Sequence, residues 1–455
     1  MSNKPNDTAL TSVESRALVA LALLYVLRML GLFMVLPVLT LYSDNYIGAT
    51  PALIGLALGI YGLSQAAMQI PMGMLSDKIG RKPVIVIGLL LFALGSAIAA
   101  NANSIEWLIF GRVVQGMGAI AGTVTALLAD VTRESQRSKA MAILGISIGM
   151  SFGIALIIGP MIASLYGVAG LFWATALFAL LSIVVVLLFV PTPTRLSTNP
   201  ETSSLPAQLG RCLQDSNLRR LDGGVFFLHF LLMAMFIALP QLLVGHGLPL
   251  QEHWEVYLPV MLLSFVVMMP LMMRAERAGK VREMVLLSIA VLGIASLAAA
   301  LSYHSFLALI FAVGLFFVAF NMLEANLPSL LSKTVFPGGR GTAMGIYSTA
   351  QFFGAFLGGS LGGWAAAQAG AVGVFALCAG AAFLWLVLAW PMVVPKSLDS
   401  HVVELATLAG IKDASGAGSH LAALPGVVDV TVFAEQGLAY LRVDDSFDKA
   451  MLAKR

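Results

Sequence analysis

Four ionisable residues lie inside long apolar stretches of this 455-residue chain: Arg28, Arg112, His229 and Glu324. A charged group within hydrocarbon costs about 2.5 to 3.5 kcal/mol on insertion scales, so each one needs a function or a buried partner. A carboxyl group beside an imidazole can gain and lose a proton near neutral pH, whereas a guanidinium keeps its charge. The pattern therefore indicates proton transfer. The sequence contains no clustered Ser, His and Asp and no phosphate loop that follows a strand.

The composition indicates an integral membrane protein. Hydrophobic residues make up 59% of the chain and charged residues 11%, against about 45 to 50% and 25% in ordinary soluble proteins. The formal net charge of +3 is too small to indicate a nucleic-acid partner. Only Cys212 and Cys378 are available for disulfides or thiolate ligands, so we expect neither a disulfide framework nor a metal site, and no cofactor. The polar residues 1–16 predict that the first apolar run is a retained span.

Apolar runs separated by short polar turns predict twelve membrane-spanning helices. A hydrocarbon layer of about 30 Å needs about 20 helical residues. The predicted spans are 17–42, 52–76, 83–101, 105–131, 138–164, 170–190, 222–244, 254–273, 283–302, 305–332, 341–367 and 371–394. Of the 26 Lys and Arg residues, all except Arg28 and Arg112 fall in the N-terminus, the turns on one side, the central loop or the tail. By the positive-inside rule, both termini are expected in the cytoplasm.

The chain divides into two sets of six spans and a polar tail. Residues Arg137–Ala142 recur in similar form as Arg340–Gly345, which indicates an internal repeat. In the tail, the sequence predicts a small β-α-β-β-α unit with strands at 401–405, 427–433 and 438–443, a helical stretch that ends at Leu424 and a helix at 446–454. The alternation of Val428–Val432 and the turn at 435–437 support it. The predicted divisions are a cytoplasmic N-terminus (1–16), a six-helix bundle (17–190), a cytoplasmic central loop (191–221), a second six-helix bundle (222–394), and a linker with a small cytoplasmic domain (395–455).

A basic turn between the second and third spans carries the most specific motif. Gly80 lets the chain reverse, and Arg81 offers a fork to a carboxylate. Asp77 ends a helix whose dipole disfavours an anion there, so a positive partner is expected elsewhere. With Gly73 and Lys82, these residues match every fixed position of G-x-L-x-D-x-x-G-R-K. The stretch resembles motif A of the major facilitator superfamily of secondary transporters.

Two further stretches extend the resemblance. Arg112, Gln115 and Gly116 match the R-x-x-Q-G pattern of motif B. Gly159 and Pro160 end a stretch that resembles motif C of antiporters, G-x-x-x-G-P, with alanine in place of the first glycine. Proline removes a backbone hydrogen bond, so a kink is expected there. The resemblance implies an all-α membrane protein of twelve transmembrane helices arranged as two six-helix repeats, the major facilitator fold.

Both ends of the chain refine the resemblance. The stretch from Arg28 to Pro37 resembles the first-span signature of the drug:proton antiporter branch. Leu424–Val427, ahead of a predicted strand, resembles a small α/β ferredoxin-like domain of the heavy-metal-associated type. The Cys-x-x-Cys of that domain type is absent, which argues against thiolate metal binding. The resemblance therefore points to the efflux transporters of this branch that carry an added C-terminal domain.

In this family spans one, four, seven and ten line the central cavity, so the resemblance implies that all four intramembrane ionisable residues face it. His229 and Glu324 lie about 10 to 12 Å deep at about 1.5 Å per residue, which would let them meet across the cavity. Glu324 is the predicted protonation site, and His229 is predicted to assist it. Arg28 is either a fixed cation of the cavity or a structural partner. Arg112 serves either proton coupling or helix packing.

On the cytoplasmic side, Asp130 is the predicted partner of Arg81, and Asp77 is expected to face the start of span eleven near 341–342. In similar transporters this set latches the two halves together when the outside is open. Several spans carry glycine at every fourth position, which lets helices approach closely and slide. These stripes are Gly55 and Gly59, then Gly145, Gly149 and Gly153, then Gly354, Gly358 and Gly362.

The resemblance implies a proton-coupled exporter of small lipophilic or cationic molecules in the cell inner membrane, with protons, substrate and lipid as its partners. One alternative is proton-coupled uptake of a metabolite. Another is a membrane sensor or docking platform whose C-terminal domain binds a ligand or a protein. No enzyme activity is expected, and a monomer is the favoured oligomeric state.

Overall fold

The computed structural model describes residues 10–191, 205–336, 339–394, 399–404, 414–433, 438–443 and 447. Within them the helices are α1 (Ser12–Phe33), α2 (Pro51–Ile79), α3 (Arg81–Ala100), α4 (Ile105–Met117), α5 (Ala121–Val131), α6 (Glu134–Phe189), α7 (Leu205–Gln214), α8 (Ser216–Gly245), α9 (Trp254–Arg277), α10 (Val281–Ser302), α11 (Phe306–Thr334), α12 (Arg340–Ala389) and α13 (Ala414–Ala422). The strands are β1 (Asp399–Glu404), β2 (Val427–Phe433) and β3 (Leu438–Val443).

In the described part of the chain, ten helical stretches are long and apolar enough to cross a membrane. Two of them contain two passes each. The 56 residues of α6 would extend about 84 Å if straight, far more than a bilayer. The chain turns within α6 at Gly167, with a φ of +68°, and within α12 at Gly370, with a φ of +58°. Glycine tolerates this left-handed backbone, so each long element is a hairpin of two spans and the passes number twelve.

The passes end alternately at two faces of the bundle. The face that holds the α2–α3 turn at Gly80, α7 and the start of α12 is termed the hinge face. The face that holds residues 34–50 and the turns at Gly167 and Gly370 is termed the far face. Of the eleven connections between the twelve predicted spans, six belong to the far face and five to the hinge face, so the chain order agrees with the spans expected from the sequence.

Two spans predicted as single helices are interrupted. The predicted span 17–42 stops being α-helical after Phe33 and continues as turns and a 3-10 helix, Leu39–Asn45. Pro37 lies in this interruption and has no N–H to continue an α-helix. The predicted span 105–131 is divided into α4 and α5 by residues 118–120, where the Ala119 N–H donates to the Met117 carbonyl at 2.8 Å. This local turn frees the Gly118 carbonyl for a side chain.

The two six-span halves pack closely at the far face. A Cβ on Gly359 of α12 would lie 2.7 Å from the Gly55 carbonyl oxygen of α2. A Cβ on Gly59 would lie 2.5 Å from the carbonyl oxygen of Phe356. The Gln241 side chain of α8 also donates to the Thr40 carbonyl across the halves at 3.3 Å. Gly55 and Gly59 of α2 therefore form a backbone-to-backbone seam with Gly359 and Gly363 of α12, which closes this face. The predicted stripe Gly354, Gly358 and Gly362 packs instead on α8, within the second half.

Towards the hinge face, the surface of α6 that faces the second half is uncovered. Phe152 marks this surface, because its ring contacts Phe236 of α8 and Phe317 of α11, each at 6.3 Å between centroids. Gly149 and Gly145 precede Phe152 by three and seven residues and so share its helix face. A Cβ on either glycine would meet no atom within 4 Å. The space between the halves therefore opens towards the hinge face.

The described residues of the tail form a separate small sheet. Its strand order is β1-β3-β2, and both pairings are antiparallel. Val403, Ala439, Leu441 and Val443 are buried in it together with Leu421 of α13. The strands β2 and β3 coincide with the bounds expected from sequence alternation. The helix expected at 446–454 and the turn at 435–437 lie outside the described residues, apart from Phe447.

Candidate functional site

The structure brings His229 of α8 and Glu324 of α11 together. The Nε2 atom of His229 lies 3.9 Å from Oε2 of Glu324. The Glu324 side chain is 39% exposed although it lies ten residues inside α11, which places it in the opening between the helices. The Oε2 atom itself is buried and has no hydrogen-bond partner among the described residues. A carboxylate oxygen in this position can accept a proton or a hydrogen bond.

Both ring nitrogens of His229 have a hydrogen-bond contact. Nδ1 lies 3.2 Å from the Val225 carbonyl, which can only accept, so Nδ1 carries a hydrogen. The amide N–H of Gln351 in α12 donates to Nε2 at 2.7 Å, so Nε2 offers its lone pair. These two contacts match the tautomer that carries its hydrogen on Nδ1. Protonation at Nε2 would require the Gln351 amide to turn its oxygen towards the ring, or Glu324 to approach.

Arg28 is 1% exposed and connects three elements of the first half. Its Nη2 atom donates to the Gln65 side chain at 3.0 Å and to the Gly118 carbonyl at 3.0 Å. Tyr61 accepts a longer bond from the same nitrogen at 3.3 Å, and the guanidinium lies 5.6 Å from the Phe92 ring centroid. The Nε and Nη1 atoms have no partner in the described part of the chain. Arg28 is thus a buried cation held by neutral groups.

Arg112 and Gln115 of motif B bind each other and join α4 to α2 and α3. Arg112 is fully buried, its Nε donates to the Ala57 carbonyl at 3.1 Å, and its Nη2 donates to the Leu58 carbonyl at 3.4 Å. The guanidinium also donates to the Gln115 amide oxygen and lies 5.0 Å from the Tyr61 ring centroid. Gln115 in turn donates to Ser96 of α3 at 2.8 Å. Among the described residues the partners of Arg112 are neutral oxygens, an arrangement that fixes helix packing.

Gly116 completes the motif through its size. A Cβ at Gly116 would collide with Ser64 and the Tyr61 carbonyl of α2. The same helix pair supplies the carbonyl acceptors of Arg112, so the glycine and the arginine act together at one close contact. Motif B therefore holds α2 and α4 at backbone distance.

At the hinge face, Arg81 binds two carboxylates. Its Nε donates to Asp130 at 3.2 Å, and Nη1 donates to Asp77 and to Ser76. Arg81 is 7% exposed and the Asp130 side chain 3%, whereas the Asp77 side chain is 38% exposed. The expected positive partner of Asp77 is thus the local Arg81 in this structure. Gly73 has open space around it, and Lys82 follows Arg81 in the first turn of α3.

The start of span eleven has a different partner from the expected one. Thr342 donates to the amide oxygen of Gln208 in α7 at 2.9 Å. Arg211 of α7 lies over the ring of Phe336, with 4.1 Å between the guanidinium carbon and the ring centroid. The helix of the central loop therefore packs on the beginning of α12. No described contact joins Asp77 to that helix end.

The motif C residues lie in α6, but the helix does not break at them. The backbone remains helical through Pro160, and the non-helical residue is Gly167. Gly159 allows a close approach, because a Cβ there would lie 2.7 Å from the Met34 carbonyl oxygen of the first span. The motif therefore provides a contact surface between α6 and the end of α1.

Comparison with known proteins places this architecture in a family. The family model described as Major Facilitator Superfamily matches residues 21–274 and 256–407. The chain belongs to the major facilitator superfamily. Family and relatives are membrane transporters and not enzymes, and the chain is a multi-pass membrane protein of this kind.

Two relatives and one solved structure illustrate the similarity. The chain is 43% identical over 439 residues to the Inner membrane transport protein YajR of Escherichia coli, with 96% of each chain covered. It is 30% identical over 384 residues to the Multidrug resistance protein MdtH of Aeromonas hydrophila, covering 81% of this chain and 90% of that protein. A D-xylose-proton symporter structure has the same fold, with a TM-score of 0.70 at 13% identity over 84% of this chain and 98% of the other.

Several polar residues at these major facilitator sites were not predicted from the sequence. Gln351, Tyr61 and Gln65 are uncharged, so they give no signal against the cost of burying a charge. Their contacts join helices that are distant in sequence, such as α8 with α12. Helical spacing was the one available sign, because Gln65 follows Tyr61 by four residues and so lies on the same face of the helix.

The neutral partners of Arg112 allow us to predict how its substitution changes the stability of the protein. Arg112→Lys is expected to lower the free energy of unfolding by about 2 kcal/mol or more, because a lysine cannot reach both carbonyl acceptors and Gln115 with a planar fork. Thermal unfolding of detergent-solubilised protein, followed by circular dichroism, measures the change. The exposed Arg219 offers a matched control, and Arg219→Lys should leave the melting temperature unchanged. Equal melting temperatures for both variants would contradict the packing function.

Proposed function

We propose that this major facilitator transporter uses a proton gradient to export small lipophilic or cationic molecules by alternating access. The observation that carries the proposal is the His229–Glu324 pair, 3.9 Å apart, whose buried carboxylate oxygen has no hydrogen-bond partner among the described residues. Ionisable residues at this depth are costly to insert into a membrane, and those that occur there mark ion or substrate pathways. A relative that carries the name multidrug resistance protein supports an exporter.

In this proposal the pair exists in two protonation states. When it is deprotonated, Gln351 donates to the neutral ring and Glu324 attracts a cationic or polarisable substrate. When a proton binds, the charge of Glu324 is neutralised or is paired with an imidazolium. Proton and substrate then compete for one group, which couples their movements in opposite directions.

The hinge face is proposed to be cytoplasmic and the membrane to be the inner membrane. The basic residues outside the spans favour this orientation by the positive-inside rule. The relative YajR is named an inner membrane transport protein. In this orientation the far-face seam closes the outside, and the space beside Gly145 and Gly149 opens to the cytoplasm. Substrate would then enter from the cytoplasm, as export requires.

The contacts at the hinge face are proposed to form the latch of the outward-open state. Arg81 holds Asp77 and Asp130 in place within the first half. Closing this face would bring Asp77 towards the start of α12, where the helix dipole favours an anion. Gln208 of α7, which accepts from Thr342, lies beside that position. Closure would therefore rearrange the α7 contact.

The tail is proposed to be a ferredoxin-like domain. The order β1-β3-β2 places two parallel strands on either side of an antiparallel one, with α13 between β1 and β2 in sequence. This is the arrangement of a split β-α-β unit. Without a Cys-x-x-Cys, a protein or small-ligand partner fits this domain better than a metal.

Proton flux in reconstituted vesicles tests the proposed function. Purified protein in sealed liposomes with an internal pH dye would receive a pH step in the presence of tetraphenylphosphonium, ethidium or rhodamine 6G. We expect protons to enter as at least one probe leaves, and protein-free liposomes supply the control. Movement of proton and probe in the same direction, or of neither, would contradict proton-driven export.

A further inference from the structure

Six buried side-chain polar atoms in the second half have no hydrogen-bond partner among the described residues. Three of them are on acidic or phenolic groups of the helices that hold the His229–Glu324 pair: Oδ1 of Asp222, the hydroxyl of Tyr347 and Oε2 of Glu324. Buried polar groups are nearly always satisfied, so an orphaned group needs an explanation such as a water or a proton-transfer function. The three residues come from α8, α12 and α11. Neither Asp222 nor Tyr347 belongs to a motif recognised in the sequence.

Tyr347 lies near the level of Asp222 along the helices. Tyr347 is 4% exposed. Gly354 and Gly358 of the same helix pack against Phe226 and Phe230 of α8, so residues seven positions before Gly354 and four before Phe226 lie at similar depth. Tyr347 precedes Gln351 by four residues, so the two lie on one face of α12. Asp222 and His229 are seven residues apart and share a face of α8 in the same way. The two helices thus present polar groups in two layers. The upper layer contains His229 and Gln351, the lower layer contains Asp222 and Tyr347, and Glu324 lies between them.

The lower layer continues to the hinge face. Burial first, and then the nearby carboxylates of Asp222 and Asp215, raise the pKa of the Cys212 thiol in α7. Asp222 lies six residues into α8, about 9 Å along the helix from the end that joins α7. The titratable groups around this route are Cys212 on the hinge side, Tyr347 beside it, and Glu324 with His229 at the inner end.

We propose that Asp222 and Tyr347 form a proton relay between the hinge face and Glu324. The relay rests on the proposed proton coupling at Glu324, and it adds a route through the second half that is separate from the substrate opening. One proton moves in each transfer. A protonated Asp222 releases its proton to the Tyr347 oxygen as the phenolic proton passes to the Glu324 carboxylate, so Tyr347 stays neutral and Asp222 becomes the carboxylate.

The Tyr347 hydroxyl has no hydrogen-bond partner among the described residues. In the conducting form, a water molecule or the rotation of an acidic side chain therefore completes the hydrogen-bonded path. Such a relay determines how fast Glu324 exchanges protons. It does not determine how many protons accompany each substrate. A relay residue therefore affects the rate of coupled transport and leaves the final gradient unchanged.

The test compares Tyr347→Phe and Asp222→Asn with Glu324→Gln in the liposome assay with the same three probes. We expect both relay variants to slow pH-driven proton flux by about tenfold while the final probe gradient and probe-for-probe exchange remain those of the unsubstituted protein. Glu324→Gln should instead abolish the gradient. Tyr166→Phe and Asp44→Asn make the same chemical changes at exposed residues and serve as controls.

Two further measurements separate the relay from a folding effect. Asp222→Glu keeps a carboxyl group and should recover part of the flux that Asp222→Asn loses. Infrared difference spectra of detergent-purified protein between acidic and neutral pH should show a carboxyl signal that Asp222→Asn removes and Tyr347→Phe retains.

The outcomes are distinguishable. Unchanged proton flux and an unchanged carboxyl signal in the relay variants, alongside a loss in Glu324→Gln, would overturn the relay and leave the proposed function in place. Loss of probe-for-probe exchange in Tyr347→Phe would show a structural effect and also overturn the relay. If the unsubstituted protein moves no protons, the proposed function and the relay are both wrong.

Discussion

Glu324→Gln is expected to abolish proton-driven accumulation of the transported molecule. Exchange of one proton for one singly charged cation moves no net charge, so the pH difference drives it. Each pH unit provides about 1.4 kcal/mol, which sustains a concentration ratio of about tenfold. Glutamine keeps the size of the side chain but cannot exchange a proton. The ratio should therefore fall from as much as about tenfold per pH unit to one, as measured by probe distribution across liposomes under an imposed pH step.

The variant should keep the exchange of labelled for unlabelled probe, which needs no net proton movement. Glu276 is exposed near the hinge-face end of α9, and Glu276→Gln makes the same chemical change away from the pair. That control should accumulate probe normally. If Glu324→Gln builds the same gradient as the control, Glu324 is not the coupling group.

Leucine at two glycines is expected to shift the conformational equilibrium in opposite directions. Gly59→Leu places a side chain against the Phe356 carbonyl in the far-face seam, so it should destabilise the present form. Overpacking costs about 1 to 3 kcal/mol, equivalent to a change of roughly 5- to 150-fold in the population ratio. Gly149→Leu enters open space in the present form and would obstruct closure at the hinge face.

Labelling of a cysteine at Thr40 reports which form is populated. Thr40 is 2% exposed at the far-face contact between the halves, so a reagent reaches it only after the seam opens. In a chain with Cys212 and Cys378 replaced by alanine, Gly59→Leu should raise the labelling rate by at least about fivefold. Gly149→Leu should lower it, and both variants should lose transport.

Gly380 provides a matched control, because it is exposed in α12 with no atom within 4 Å of a Cβ. Gly380→Leu changes helix propensity as the other two substitutions do, yet it touches no contact between the halves. It should label at the rate of the unsubstituted protein. Equal labelling of all three glycine variants would mean that the α2–α12 seam does not control access.

The small C-terminal unit shows how far local patterns can be extended. The alternation of apolar and polar residues at 428–432 predicted β2, because every second side chain of a strand faces the core. The strand order depends on which edges pair, and β3 lies between β1 and β2 although β1 is distant in sequence. Local alternation contains no information on that pairing.

The sequence by itself determined the membrane class, the passes and the family motifs. Each follows from local physics: about 20 apolar residues span a bilayer, basic residues mark the turns, and Gly80 permits a sharp reversal. The proximity of His229 and Glu324 was also predicted: the cost of burying an ionisable group singled out both residues, their depths are equal, and the family resemblance implied that both spans line the cavity.

Only the tertiary structure decided which groups satisfy these residues. Arg112 binds neutral oxygens, Arg81 holds both Asp77 and Asp130, and the break at Gly118 provides a carbonyl for Arg28. The structure also showed that the halves meet at the far face and separate towards the hinge face. The choice of partner depends on contacts between helices that are distant in sequence. The choice between a closed far face and a closed hinge face depends on two arrangements of similar free energy, which residue types and spacing alone do not rank.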